Sequence, residues 1–296
     1  MKWVVLLKQT FDTEEKIYFT EDGIREEDVK LIINPYDEYA LEEALRWKEQ
    51  LGGEVIAVTC GTERTHEALR LALAMGADQA IRVSSDGIPD DSGVLADVLA
   101  AAIAPLQPDM LLAGLFAVDT GSGSVALQTA ELLGLPHAGA VVKLSVGTAA
   151  ELGIQPGDER FYALAVRDVE GDQETVALPL PACITAQQGL NDPRYPSLPG
   201  IMKAKRKPLI VIETAELKPY QPLGEALIKG QPPAGSSGLL AESDSYFVPS
   251  ARTYRTQLSP PPPRAAGKKL TGSPAEQARE LARELHDVLV EALEKK

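Results

Sequence analysis

The sequence predicts an α/β protein organised around a doubly wound, mostly parallel sheet, with a β-hairpin extension and a C-terminal arm that ends in a helix. Apolar runs rich in β-branched residues, at 3–7, 55–59, 80–83 and 110–115, alternate with amphipathic helical stretches over residues 1–135. The connections between them are short. Strands separated by single helices run parallel, need cover on both faces, and are joined by right-handed crossovers.

The first helix is expected to open in "NPYDEYALEEALRWKEQLGG". Asn34 can cap it, Pro35 suits its first turn, Asp37 and Glu38 match the dipole, and Gly52 can end it. A second helix is expected over 62–76, a third from Asp91 or Ser92, and a fourth over 122–134. After Pro136 two β-like runs flank an acidic turn near 169–172, which reads as a hairpin, and residues 180–185 read as a further strand. Residues 213–272, with "GQPPAGSSG" and "SPPPPRAAG", form an extended Pro/Gly-rich arm that buries little by itself. A terminal helix, 273–296, follows. Ser273 and Glu276 form a capping box around Pro274, and apolar residues recur at 278, 281, 282, 285, 288, 289 and 292. That face needs a partner, either another subunit or the parent sheet. The expected division is therefore a nucleotide-binding α/β domain over 1–212, the arm over 213–272, and the helix over 273–296.

Composition narrows the function. The chain carries 29 basic against 43 acidic residues, a net charge of −14, which repels a phosphate backbone and argues against nucleic-acid binding. Two cysteines, Cys60 and Cys183, and a start, "MKWVVLLKQT", without a long apolar run lead to the expectation of a cytoplasmic, reduced protein with no membrane insertion. His66, His137 and His286 show no metal-ligand spacing, so no metal site is expected.

In an open α/β sheet ligands bind beyond the carboxyl ends of the strands, which selects loops 8–11, 59–63, 84–91 and 116–124. The last is the most informative. Gly121 to Ala126 matches the dinucleotide glycine fingerprint, but it follows the fourth strand rather than the first and lacks the acidic residue about 20 positions on. A phosphate cradle and a plain capped turn both remain open. Cys60 has no histidine evidently placed to activate it, so it reads as structural or ligand-lining. His66 reads as an exposed helix residue, and Asp37, Glu38, Glu42 and Glu43 as a solvated face. With no Ser/His/Asp set, paired acids or P-loop lysine, the sheet reads as a nucleotide holder whose chemistry belongs to a cofactor.

"INPYDEYALEEALRWKE", "VTCGTERTHEALRLALAMGADQAIRV", "VRDVEGDQETVALPLPACITA" and "LNDPRYPSLPGIMKAKRKP" resemble, in order and spacing, the beta (small) subunit of electron transfer flavoproteins. The resemblance covers residues 1 to about 210 and returns in "SPPPPRAAGKKL" and the terminal helix. It implies a Rossmann-like fold of the adenine nucleotide alpha hydrolase-like type. It also implies a heterodimer with the family's alpha subunit, which carries electrons from acyl-CoA dehydrogenases and other flavin dehydrogenases to a quinone oxidoreductase or another acceptor. The electron-carrying FAD would be shared with the alpha subunit, and a second nucleotide site would hold AMP, or a second FAD in bifurcating members.

Carried over by position, that second site would use Leu6, then Asn34, Pro35, Tyr36 and Asp37, then Cys60, then Val118, Asp119, Thr120, Gly121, Ser122, Gly123, Ser124, Val125, Ala126 and Thr129. The sequence departs from the family pattern at Leu6, Gly121, Ser124, Val125 and Ala126, which reduces side-chain contacts to a phosphate and leaves backbone N–H groups to hold it. Residues 192–206 correspond to the family's recognition loop, with Leu198 as the leucine that plugs a dehydrogenase pocket and Tyr195, Lys203 and Lys205 beside it. The prolines around Leu198 lower the ordering entropy lost on docking. A different class, a nucleotide-binding hydrolase or universal-stress-like protein, shares this sheet type and would need phosphate-contacting cations or a metal-binding acid, for which Asp119 is the one support.

Overall fold

The computed structural model describes residues 1–12, 14, 16, 18–20, 23–24, 29–155, 158–218, 251, 253–254, 256, 262, 264 and 266–294. Its strands are β1 (Lys2–Leu6), β2 (Gln9–Phe11), β3 (Phe19–Thr20), β4 (Gly23–Ile24), β5 (Leu31–Ile33), β6 (Glu54–Gly61), β7 (Gln79–Ser84), β8 (Met110–Gly114), β9 (His137–Thr148), β10 (Phe161–Val169), β11 (Asp172–Pro179), β12 (Ala182–Ala186) and β13 (Leu209–Ile212). Its α-helices are α1 (Pro35–Leu51), α2 (His66–Met75), α3 (Ser92–Ile103), α4 (Val125–Leu132), α5 (Ala149–Leu152), α6 (Leu198–Ala204) and α7 (Pro274–Glu294).

The main sheet has the order β11-β10-β9-β12-β8-β1-β6-β7-β13. Its pairs are parallel from β9 through β13, and antiparallel only where the β10–β11 hairpin adds to β9. This is the Rossmann-like, doubly wound architecture that the alternating pattern predicts. Successive residues of β1 face opposite layers, because side chains alternate along a strand. Trp3 and Val5 pack with Leu41, Leu45, Leu69 and Leu73 of α1 and α2. Val4 and Leu6 pack with Leu99 and Ile103 of α3 and with Ala130 of α4. Two covered faces explain why β1 reads as an unbroken apolar run.

Several boundaries differ from expectation for identifiable reasons. Helix α4 starts at Val125 rather than 122, because Ala117 N donates to Ser122 O and Gly121 N to Ala117 O, closing a turn that absorbs both glycines. Gly121 has φ 69°, and a Cβ on Gly123 would lie 2.6 Å from the Leu115 carbonyl oxygen. Strand β9 went unread because Gly139 and Ala140, the latter at φ 57°, interrupt its β-branched pattern. Strand β12 begins at Ala182 rather than 180, since Pro181 has no N–H to give to a ladder. Edge strand β13 was too short, at four residues after a charged run, to be distinguished.

The chain divides into two compact units, 1–257 and 258–296. In the second, Glu276 Oε2 accepts from Ser273 N and Oγ at 2.8 and 2.7 Å, the Glu-side half of the expected capping box. "GQPPAGSSG" lies outside the described residues. Among the described residues no helix is long and apolar enough to cross a membrane.

Candidate functional site

The chain leaves β1 towards β6 and β7, then returns to the other side of β1 at β8, so the strand order reverses between β1 and β8. Such a switch point opens a crevice beyond the carboxyl ends of the strands. A slot of about 600 Å³ lies there, within the size range of small-molecule sites. Leu6, Val58 and Cys60 come from strand ends, Leu95 and Leu99 from α3, and Val125 and Ala126 from α4; Asn34, Asp37 and Gly114 lie at its base, and Thr253 and Tyr254 also line it.

A buried polar clamp shapes the base of the slot. Asp37 Oδ2 accepts from Lys8 N at 2.6 Å, and Oδ1 accepts from Gly114 N at 2.9 Å and Asn34 Nδ2 at 3.1 Å. Asn34 Nδ2 also donates to Phe116 O at 2.9 Å, and Asn34 Oδ1 accepts from Val118 N at 3.1 Å. Four segments are thereby tied together: the end of β1, the start of α1, the end of β8 and the loop before α4. Asn34 occupies the N-cap position of α1 but makes no side-chain cap bond, because its amide is spent on this network. Gly114 is required by proximity, since a Cβ there would strike Asp37 Oδ1 and Tyr36. Burial pushes the Asp37 carboxyl up to about 7, opposed by its three donors.

The acidic residues of α1 do not form the solvated face that the sequence predicts. Asp37, Glu42 and Glu43 are 6%, 5% and 4% exposed, and each has long-range partners. His66 is likewise half-buried, its Nε2 accepting from Arg82 Nε at 3.1 Å. Cys60 Sγ sits 4.0 Å from Ser84 O, and burial pushes its thiol up to about 12, which disfavours the thiolate.

Of the residues selected from sequence, Leu6, Asn34, Asp37, Cys60, Thr120, Ser122, Gly123, Val125 and Ala126 line the slot. The others stand behind it. Pro35 opens α1, Tyr36 packs on Phe116 with ring centroids 4.3 Å apart, and Val118 N binds Asn34. Asp119 pairs with Lys8 Nζ at 2.7 Å, Gly121 turns the loop, Ser124 precedes α4, and Thr129, fully buried, donates to Val125 O. Ser124 makes no side-chain cap bond, which leaves the first-turn amides of α4 available to an anion. Lys8 is the one cationic side chain among the described lining residues. Sequence reasoning missed Val58, Leu95, Leu99, Thr253 and Tyr254. The all-round apolar character of "SGVLADVLAAAI" was the available signal for α3, since a helix covering only a sheet needs one apolar stripe.

On another surface, apolar side chains point outward. Tyr195, Leu198 and Met202 are 95%, 79% and 73% exposed. The expected loop contains helix α6, capped by Ser197 Oγ accepting from Gly200 N at 3.1 Å. Its upstream end is held to α1: Arg194 Nε and Nη2 donate to Glu42 at 2.8 and 3.0 Å, Nη1 reaches Glu49 at 2.5 Å, and Asn191 Nδ2 reaches Glu43 at 2.9 Å. The downstream end is held to α2: Arg70 Nη1 donates to Ala204 O at 2.7 Å, and Lys207 Nζ to Leu73 O and Ala77 O at 3.0 and 2.6 Å. Desolvation pushes the Lys207 amine down, so of the basic run Lys203, Lys205 and Arg206 face solvent while Lys207 is a structural tie.

Residues 23–217 match the electron transfer flavoprotein domain family. The chain is 44% identical to an "Electron transfer flavoprotein subunit beta" of Bacillus subtilis (strain 168), over 95% of its own length and 96% of that protein. It is 39% identical to a protein of the same name from Syntrophomonas wolfei, over 82% and 91% of the two chains, and 36% identical to that of Mus musculus, over 84% and 95%.

Proposed function

The chain belongs to the electron transfer flavoprotein family, and on that premise we propose that it is the beta subunit of a heterodimeric electron carrier. Its partner is the family's alpha subunit, with which it shares the electron-carrying FAD. Electrons arrive from flavin dehydrogenases such as acyl-CoA dehydrogenases and leave to a quinone oxidoreductase or another acceptor. The carrying observation is the presented segment: Leu198 stands 79% exposed between two sets of fixed hydrogen bonds, which suits a side chain that docks in a partner's pocket.

The slot fits a nucleoside monophosphate. Leu6, Val58, Leu95 and Leu99 give the slot an apolar lining suited to a flat base, and the α4 amides supply an anion station. Among the described residues one cation lines the slot, Lys8, paired to Asp119, and with the α4 amides this suits one phosphate better than the two of a second FAD. FAD, when bound at the subunit junction, supplies the redox chemistry. This chain's residues bind and orient: Asp37 and Asn34 fix the loops around the nucleotide, Leu198 and Tyr195 engage the dehydrogenase, and Lys203 and Lys205 present positive charge beside them. Asp119, on which the hydrolase reading would draw, is paired with Lys8 Nζ at 2.7 Å.

Co-expression with the alpha subunit, followed by chromatography of the released nucleotides, tests the reading. One FAD and one AMP per heterodimer is expected. Two FAD would replace AMP with a bifurcating site, and a flavin-free, monomeric chain would overturn the electron-transfer role.

A further inference from the structure

The arm returns to the nucleotide slot after a long excursion in sequence. Thr253 N and Thr253 Oγ1 both donate to Asp91 Oδ2, each at 2.7 Å, across 162 residues. The other oxygen of the same carboxylate, Oδ1, accepts from Gly93 N at 2.9 Å and Val94 N at 3.0 Å and so caps α3. One and two turns further along, α3 supplies Leu95 and Leu99 to the slot wall. Asp91 is only 5% exposed, so both of its oxygens make their hydrogen bonds in a largely desolvated setting, where a carboxylate acceptor is strong. Next to Thr253, Tyr254 lines the slot while remaining 84% exposed, as a ring does when it stands at the mouth of a cavity.

We propose that Thr253 and Tyr254 belong to the nucleotide site, with Asp91 latching the arm so that the Tyr254 ring closes the slot over the bound base. The inference rests on the nucleotide reading given above. An aromatic ring at the open side of a slot whose apolar lining is mainly aliphatic offers a π-face to a purine base, and backbone tethering beside it holds the ring in place. Asp91 then serves two linked purposes: it starts the helix that walls the slot, and it holds the strap that covers it. Release of the nucleotide requires the Thr253 bonds to open, so this latch sets residence time more than intrinsic fit.

The test uses the complex with the alpha subunit, loaded with labelled AMP and chased with unlabelled AMP. Asp91 is left intact so that α3 keeps its cap. Thr253→Val removes the hydroxyl donor and Tyr254→Ala removes the ring; each is expected to speed AMP release about tenfold, the effect of losing a charge-assisted hydrogen bond or a stacking face. Thr253→Ser and Tyr254→Phe should restore slow release, and flavin absorbance should be unchanged in all four variants. Release at the wild-type rate from both Thr253→Val and Tyr254→Ala, in a complex that holds AMP, would overturn the assignment. A wild-type complex that binds no AMP at all would instead overturn the nucleotide reading on which it rests.

Discussion

The slot and the presented segment use the same helix in opposite ways. The first turn of α1 turns polar groups inward, where Asp37 and Asn34 join four backbone segments around a cavity. Further along, Glu42, Glu43 and Glu49 grip Arg194 and Asn191 so that apolar side chains can point outward. In the slot, each buried polar group is needed by several others. In the segment, the exposed Tyr195, Leu198 and Met202 side chains bury little against the chain itself. Substitutions in the first region should therefore change folding and binding together, and in the second should separate them.

The sharpest break is Asp37→Ala. It strips the acceptor from Lys8 N, Gly114 N and Asn34 Nδ2, and unsatisfied buried donors cost about 1–3 kcal/mol each. Denaturant unfolding should show a loss of about 3–5 kcal/mol together with loss of the nucleotide. A variant of wild-type stability would show that the clamp is incidental.

Arg194→Ala should be intermediate. It leaves Glu42, 5% exposed, without its guanidinium, and a loss of about 2 kcal/mol is expected because Arg194 itself is partly solvated. Dehydrogenase-dependent reduction should weaken as well, since the upstream tie of the segment is gone.

Leu198→Ala separates the two properties. Its side chain buries little at home, so the unfolding temperature should hold, while the apparent affinity for the dehydrogenase falls about tenfold or more on loss of an apolar plug worth roughly 1.5–3 kcal/mol. A sharp fall in unfolding temperature would place Leu198 in the core and end the docking role.

The smallest effect concerns pH. Asp37 has its folded value raised from 3.8 to about 7. A raised carboxyl favours the folded state when protonated, so that contribution is complete below about pH 4 and is lost as pH climbs through 7. Between pH 6 and 8 wild-type stability should decline by about 1 kcal/mol more than that of Asp37→Asn, as measured by unfolding in denaturant. Parallel pH profiles would show that Asp37 does not titrate in that range.

How much of this was legible in the sequence depended on distance along the chain. Strands β1, β6, β7 and β8 were readable because burial on both faces leaves a local, unbroken apolar run. The start of α1 was readable from Pro35, and the loop before α4 from its glycines. The true environment of Asp37 and Glu42 was not, because charge in a helical pattern reads as exposed, while their partners lie 29 and 152 residues away. Thr253 and Tyr254 were hidden for the same reason: nothing local in a Pro/Gly-rich arm says which strand ends it will cross.

The double service of α1 has a structural consequence. Positions 34 and 37 hold the slot loops while 42 and 49 hold Arg194, so a shift of the helix as a whole would disturb both regions at once. Tyr195, Leu198 and Met202 carry no such double duty. If they dock an electron donor as proposed, those three side chains can be exchanged without disturbing the helix beneath them.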